Sequence, residues 1–280
     1  MQMESTQAHH IPAIRARLNY SPEHLQVMVR NLCQRLNSAI GDFPKLHYAM
    51  RDLERLLLRG EEYDADFGKL LASFADHELA HFHNLYCYWE TLLEKRFVQF
   101  LDQGVFRHVV DYPLFSRFER LIEREVSLLD GHMPSRVLFI GSGPMPITAL
   151  CLQHRIETRV DCLERDPEAV SESRLVLDRL GYAEKIHVLH GRGEMIDVSS
   201  YDVILVALLA KPKHAILESI ARTCRDDVRI ICRTSEGSRC FFYEPTTLDA
   251  IPPTLRWMRE AHAGIDDTIS SSLLRKVGFK

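Results

Sequence analysis

The 280-residue chain is 46% hydrophobic and 26% charged, with a formal net charge of −4, which suits one large or two small globular domains with a real core. No basic run points to a nucleic-acid groove or an anionic membrane surface, and the longest apolar stretches, such as 203–210, are far too short to span a bilayer. Met1–Pro12 is polar, without the apolar core of a signal peptide, and Cys33, Cys87, Cys151, Cys162, Cys224, Cys232 and Cys240 are dispersed without Cys-x-x-Cys pairing. Together these traits predict a cytoplasmic protein with reduced thiols, bound to neither nucleic acid nor membrane.

Residues 21–130 read as mostly helical. Ser21-Pro22 gives an N-cap followed by proline at the first helical position, and 44–60 places Leu46, Met50, Leu53, Leu56 and Leu57 on one face. From Phe67 to Leu101 the apolar residues keep a 3.6 period, which predicts one long helix. A further helix is expected from Pro113 through Leu129, closed by Gly131 and Pro134.

After Pro134 the pattern alternates. Strands are expected at 136–140, 159–163, 185–189, 202–208 and 228–233, with helices at 146–154, 167–180 and 213–224. Such alternation implies a parallel sheet with right-handed crossovers. Two more strands, 240–243 and 269–275, would form an antiparallel edge. The expected class is α/β: a helical N-terminal domain, 1–133, packed on a Rossmann-like domain, 134–280.

Chemistry concentrates at the carboxyl ends of those strands. The run Arg136–Ile140 ends in Gly141-Ser142-Gly143, and Glu164 ends the next strand, 21 residues after Gly143. In a βαβ unit this sets a glycine turn against a nucleotide and a carboxylate on its ribose. Pro144 and Pro146 remove early N–H donors from the following helix, donors that otherwise hold phosphate. The loop therefore suits a nucleoside without phosphates, such as S-adenosylmethionine (SAM). Arg165, Gly193 and Glu194 lie at the ends of the second and third strands, and Ala207-Leu208 ends the fourth, where small and apolar residues would floor the pocket. These positions, with Gly141, Ser142, Gly143, Pro144 and Glu164, form the expected SAM site.

Two motifs lie in the helical half. His77-Glu78-Leu79-Ala80-His81 matches the zinc-protease pattern, but Asn84 and Cys87 stand where its continuation needs Gly and His. No metal is therefore expected, and the protease reading ranks third. Glu90, beside Trp89 on an apolar stripe, is placed to be partly desolvated and to act as a base.

Several segments together resemble the nicotianamine synthase family. Ile140–Thr148 is similar to its Gly-Ser-Gly-Pro-x-Pro segment, and Glu90-Thr91-Leu92-Leu93-Glu94 with Phe97 to its Glu-x-x-Leu-Glu-x-x-Phe helix. Tyr112–Phe118 resembles its Phe-Pro-Tyr-Tyr-x-Asn-Tyr segment, and Gly193–Val198 its Gly-Asp-x-Met-Asp-Val. Arg233–Arg239 with Tyr243, and Ile269–Lys276, resemble its Arg-Ser-x-x-Gly-x-Arg and Ile-Asn-Ser segments. The resemblance implies transfer of the 3-amino-3-carboxypropyl (aminobutyrate) group of SAM to an amine, with methylthioadenosine released and Glu90 as the catalytic acid–base residue.

Leu114-Phe115 stands where the plant enzymes have Tyr-Tyr, and Arg117 where they have Asn. That departure favours the bacterial branch, which adds one aminobutyrate to histidine in making an opine-type metallophore. The product would then pass to an opine dehydrogenase. Tyr112, Phe115, Arg233, Arg239 and Tyr243 are the expected acceptor-binding residues, the arginines for carboxylates. A SAM-dependent methyltransferase of a small amine is the runner-up, alongside nicotianamine synthase proper. The sequence leaves the oligomeric state open, with a homodimer as one option.

Overall fold

A computed structural model describes residues 22–58 and 67–277. The expectations for Met1–Pro12, Ser21 and residues 59–60 lie outside them. In the helical half, α1 runs Pro22–Ser38, α2 Phe43–Leu58, α3 Phe67–Ala72, α4 Asp76–Asp102 and α5 Phe115–Ser127. The expected continuous helix from Phe67 to Leu101 is broken between α3 and α4. The break is capped locally: the Glu78 carboxylate accepts from the Ala75 N–H at 2.9 Å, and the Ser73 hydroxyl turns back on the Leu70 carbonyl. Periodicity survives the break because Phe74 and Phe82 still pack together, their rings 6.0 Å apart.

Glu78, the would-be base of the zinc-protease motif, is spent on that cap and on Arg30. His77 and His81 are exposed, and His81 meets Asn37. Neither histidine joins a group that could hold a metal among the described residues.

The second half alternates β1 Arg136–Ile140, α6 Ile147–Ile156, β2 Arg159–Glu164, α7 Pro167–Leu180, β3 Ile186–His190, β4 Val203–Val206, α8 Lys213–Thr223, β5 Arg229–Thr234, β6 Leu255–Ala261 and β7 Ser270–Lys276. The seven strands lie in the order β3-β2-β1-β4-β5-β7-β6. β1 to β5 are parallel, and Phe139 of β1 sits between Cys162 of β2 and Leu205 of β4. β7 runs antiparallel between β5 and β6. β4 is buried throughout, and β1, β2 and β5 are buried but for their first residues and mostly apolar within, as a parallel sheet covered on both faces requires.

The expected strand at 240–243 is instead a tight helical turn, Gly237–Phe241, with Phe242 and Tyr243 just beyond it. A strand would turn successive aromatics to opposite faces, whereas Phe241, Phe242 and Tyr243 are all buried. Phe241 stacks on Phe82, and Phe242 and Tyr243 meet Tyr86. The edge strand is β6. Its solvent-facing Arg256, Arg259 and Glu260 hide it from an apolar-alternation search. One hydrophobic core runs through both halves, from Leu25 and Trp89 to Leu274. No helix among the described residues is long and apolar enough to cross a membrane.

Candidate active site

The strand order reverses between β1 and β4, and an open α/β sheet binds its ligand at such a switch point, beyond the carboxyl ends of the strands. A cavity of about 360 Å³ lies there. Its wall brings together Gly141, Ser142, Gly143, Pro144, Glu164, Arg165, Gly193, Glu194, Ala207 and Leu208, the residues expected from sequence at a nucleoside site. Helix α4 adds Cys87, Glu90, Thr91 and Glu94. The volume falls within the usual range for small-molecule sites.

Gly141 and Gly143 turn the chain out of β1 with φ of +83° and +67°, backbone that only glycine adopts without strain. A Cβ on Gly141 would lie 3.0 Å from Ala210 Cβ and 3.2 Å from Ala207 Cβ, so the β1 and β4 loops approach through that gap. Gly131, with φ of +72°, has open space instead. Gly131→Ala is expected to cost roughly 1–2 kcal/mol of strain, and Gly141→Ala distinctly more, in paired thermal or urea unfolding. Equal costs would mean that the contact with β4 is unimportant.

Glu164 Oε2 accepts from the Gly143 N–H at 2.9 Å, and its Oε1 from the Arg165 and Asp166 N–H groups. Three backbone donors thus fix this carboxylate beside the glycine turn. The α6 end offers nothing comparable: Pro146 precedes the helix and the Ile147 N–H turns back on the Met145 carbonyl. The ammonium of Lys213 donates to the Ala207 and Leu208 carbonyls, holding the floor in shape, and burial lowers its pKa to about 8.

Glu90 is half-buried, and its Oε1 accepts from the Tyr243 hydroxyl at 2.7 Å. Burial raises the Glu90 carboxyl to about 7, against the downward pull of that hydrogen bond and of Arg117. Behind it, the Arg117 guanidinium donates to Glu54 and to the Tyr86 hydroxyl, which itself donates to Glu54. Tyr86 packs edge-on against Tyr243, ring centroids 5.0 Å apart. Sequence reasoning missed Glu54, Tyr86 and Lys213, saw Arg117 only as a departure, and weighed Glu94 only, with Glu90, as a distant third ligand for the His77–His81 motif. One signal was available: Glu90 and Glu94 are spaced i, i+4, so they share a helix face.

The expected acceptor-binding set separates. Tyr243 and Arg233 line the cavity; Tyr112, Phe115 and Arg239 do not. Tyr112 is buried with its ring edge-on to Phe97, and Phe115 packs on the core, so both are packing residues. Arg239 spends its guanidinium on the carbonyls of Asp267, Gly264 and Ala263 and braces that loop. Arg233 is 2% exposed, makes two bonds to Glu125 and one to the Thr148 hydroxyl, and is chiefly an internal ion pair.

A parallel sheet with a glycine turn and an anchored carboxylate at its switch point makes this a Rossmann-like α/β protein, here with a helical half contributing to the cavity. The family model for "Nicotianamine synthase protein" matches residues 52–276. The chain belongs to the nicotianamine synthase family. Among curated relatives, the L-histidine 2-aminobutanoyltransferase of Yersinia pestis is 28% identical over 128 residues, 46% of this chain and 48% of that protein. The nicotianamine synthase-like 5 protein of Hordeum vulgare is 27% identical over 176 residues, 58% of this chain and 62% of that protein. The chain thus spans about half to three-fifths of the length of these relatives. Among solved structures, MtNAS in complex with MTA and tNA superposes with a TM-score of 0.81 at 25% identity, covering 90% of this chain and 98% of that one. A glutamate-to-glutamine mutant of MtNAS in complex with SAM gives 0.79 with the same identity and coverage.

Proposed function

We propose that this protein transfers the 3-amino-3-carboxypropyl group of SAM to the α-amine of an amino acid, histidine first among acceptors, and releases methylthioadenosine. One observation carries the reading: a desolvated carboxyl, Glu90, shares a single cavity with the glycine turn and Glu164. The site is furnished at one place for a nucleoside and at another for a proton. The names of the Yersinia relative and of the MtNAS complexes support the same assignment.

In this reading Glu164 accepts from the ribose hydroxyls, the glycine turn and Ala207-Leu208 enclose the nucleoside, and SAM supplies an electrophilic γ-carbon with a sulfonium leaving group. The acceptor amine forms the new N–C bond while the C–S bond breaks, and the sulfur keeps the electron pair as a neutral thioether. Glu90 takes the proton that the amine must lose, because an α-amine is mostly protonated at neutral pH. The Tyr243 hydroxyl orients Glu90 and supplies a phenol that Leu114-Phe115 does not offer. We further propose that 1–133 and 134–280 are the two domains, that the protein works in the cytoplasm, and that its product, a secondary amine, feeds an opine dehydrogenase in metallophore synthesis.

The test is incubation with SAM and an amino-acid panel, read by mass spectrometry. Methylthioadenosine with an aminobutyrate adduct of histidine is the expected result; adenosylhomocysteine would overturn it in favour of methylation. Glu164→Ala is expected to weaken SAM binding by about 1–3 kcal/mol through two lost charge-assisted hydrogen bonds. Unchanged affinity by calorimetry would remove Glu164 from the ribose.

A further inference from the structure

Glu94 is a carboxyl in the cavity with no ion-pair partner among the described residues. It follows Glu90 by one helical turn on α4, and its Oε2 lies 3.1 Å from where a Cβ on Gly143 would stand. Glu90 has the Tyr243 hydroxyl and Arg117; Glu164 has three backbone N–H groups. Glu94 has no hydrogen-bond or ion-pair partner among the described residues. The charges around it are those of Glu90 on its own helix, Glu164 at the end of β2 and Glu172 on α7, and all three push its carboxyl above the ordinary range, after burial itself. The buried Tyr112 hydroxyl, just before α5, feels the same carboxyl. Lys95, the next residue of α4, pairs with Glu168.

We propose that the Glu94 carboxylate is the counter-charge for the cationic sulfonium and ammonium groups of SAM, and that it lets the site prefer SAM over the neutral thioether product. The inference rests on the SAM reading above. An acid held among other acids next to the glycine turn is poorly placed for an empty or neutral site and well placed for a cationic one. In the empty protein burial and the neighbouring acids favour the protonated form of Glu94. A cation entering beside it favours the ionised form, so the proton leaves to solvent as SAM binds. Methylthioadenosine, without the charge, leaves the proton where it is. Group transfer thus removes the interaction that holds the ligand, and the spent nucleoside is released.

The experiment is titration calorimetry with SAM and with methylthioadenosine, near neutral pH, in two buffers of different ionisation enthalpy. The parent protein is expected to release a proton on binding SAM and none on binding methylthioadenosine. Glu94→Gln should abolish that release and reduce the preference for SAM about tenfold or more, while methylthioadenosine still binds within about threefold of the parent. Glu94→Asp, which keeps the charge, should retain the preference. Proton release and preference both unchanged in Glu94→Gln would overturn the proposal. Should Glu94→Gln fail to fold, a parent protein that binds both ligands equally and without proton release overturns it alone. A parent that binds neither ligand overturns the SAM reading as well.

Discussion

Glu90→Gln is expected to lower kcat by about 10²–10⁴-fold, the contribution of a positioned general base, while SAM affinity changes little. The side chain keeps its shape and its place beside Tyr243, but an amide cannot accept the amine's proton. Because burial holds the parent carboxyl at about 7, kcat/KM should climb with pH up to that value and then level. The climb reports ionisation of the base and should vanish in the variant. Stability gives a second readout with the opposite sign. The native-state carboxyl titrates above its ordinary 4.5, so folding loses stability as pH rises from about 4.5 to about 7, where the unfolded chain releases a proton that the native chain keeps. At pH 8 the neutral glutamine removes that penalty, and Glu90→Gln should be more stable than the parent, by an amount of order 1 kcal/mol. A variant that keeps more than about a tenth of kcat, or one less stable at pH 8, would make Glu90 a structural residue.

Glu125→Ala should cost about 3–5 kcal/mol, with Tm falling by about 10 °C, because it leaves the Arg233 guanidinium buried without its partner. The pair is almost fully enclosed, Glu125 1% and Arg233 2% exposed. Glu125 Oε1 also accepts from the Ser271 hydroxyl at 2.6 Å, so one carboxylate ties α5 to β5 and β7. Replacing both charges with apolar residues of similar volume, Glu125→Leu with Arg233→Met, should recover much of the loss, since neither then leaves a buried charge behind. A Glu125→Ala protein that melts within a degree of the parent would return Arg233 to the role of a clamp for the acceptor's carboxylate. Differential scanning calorimetry on the three proteins decides between them.

These outcomes depend on pairings of very different visibility. The helix period of 167–180 and the apolar runs of β1, β2, β4 and β5 are written into short windows of sequence. So is the glycine turn, because strands and helices impose periods of two and 3.6 on adjacent residues. Proline and a capping Asp166 start α7 where expected. The break between α3 and α4 escaped because hydrophobic period continues through it while a single carboxylate caps it. The turn at 237–241 escaped because its aromatics answer to partners on α4 rather than to their own backbone neighbours.

By itself, then, the sequence determined the α/β class, the alternation of strands and helices behind a parallel sheet, the glycine turn with Glu164, and Glu90 on a helix beside an apolar stripe. All of these are local patterns or short-range spacings. Tertiary structure decided what each charged side chain is for. Tyr243 reaches Glu90 across 153 positions of sequence, and Glu125 meets Arg233 across 108. Arginines expected to face a substrate instead satisfy a buried carboxylate and a loop's carbonyls, because a buried guanidinium must be paired wherever the fold encloses it. Which partner it finds depends on how α4, α5, β5 and β7 converge, and no window of one chain's sequence contains that convergence.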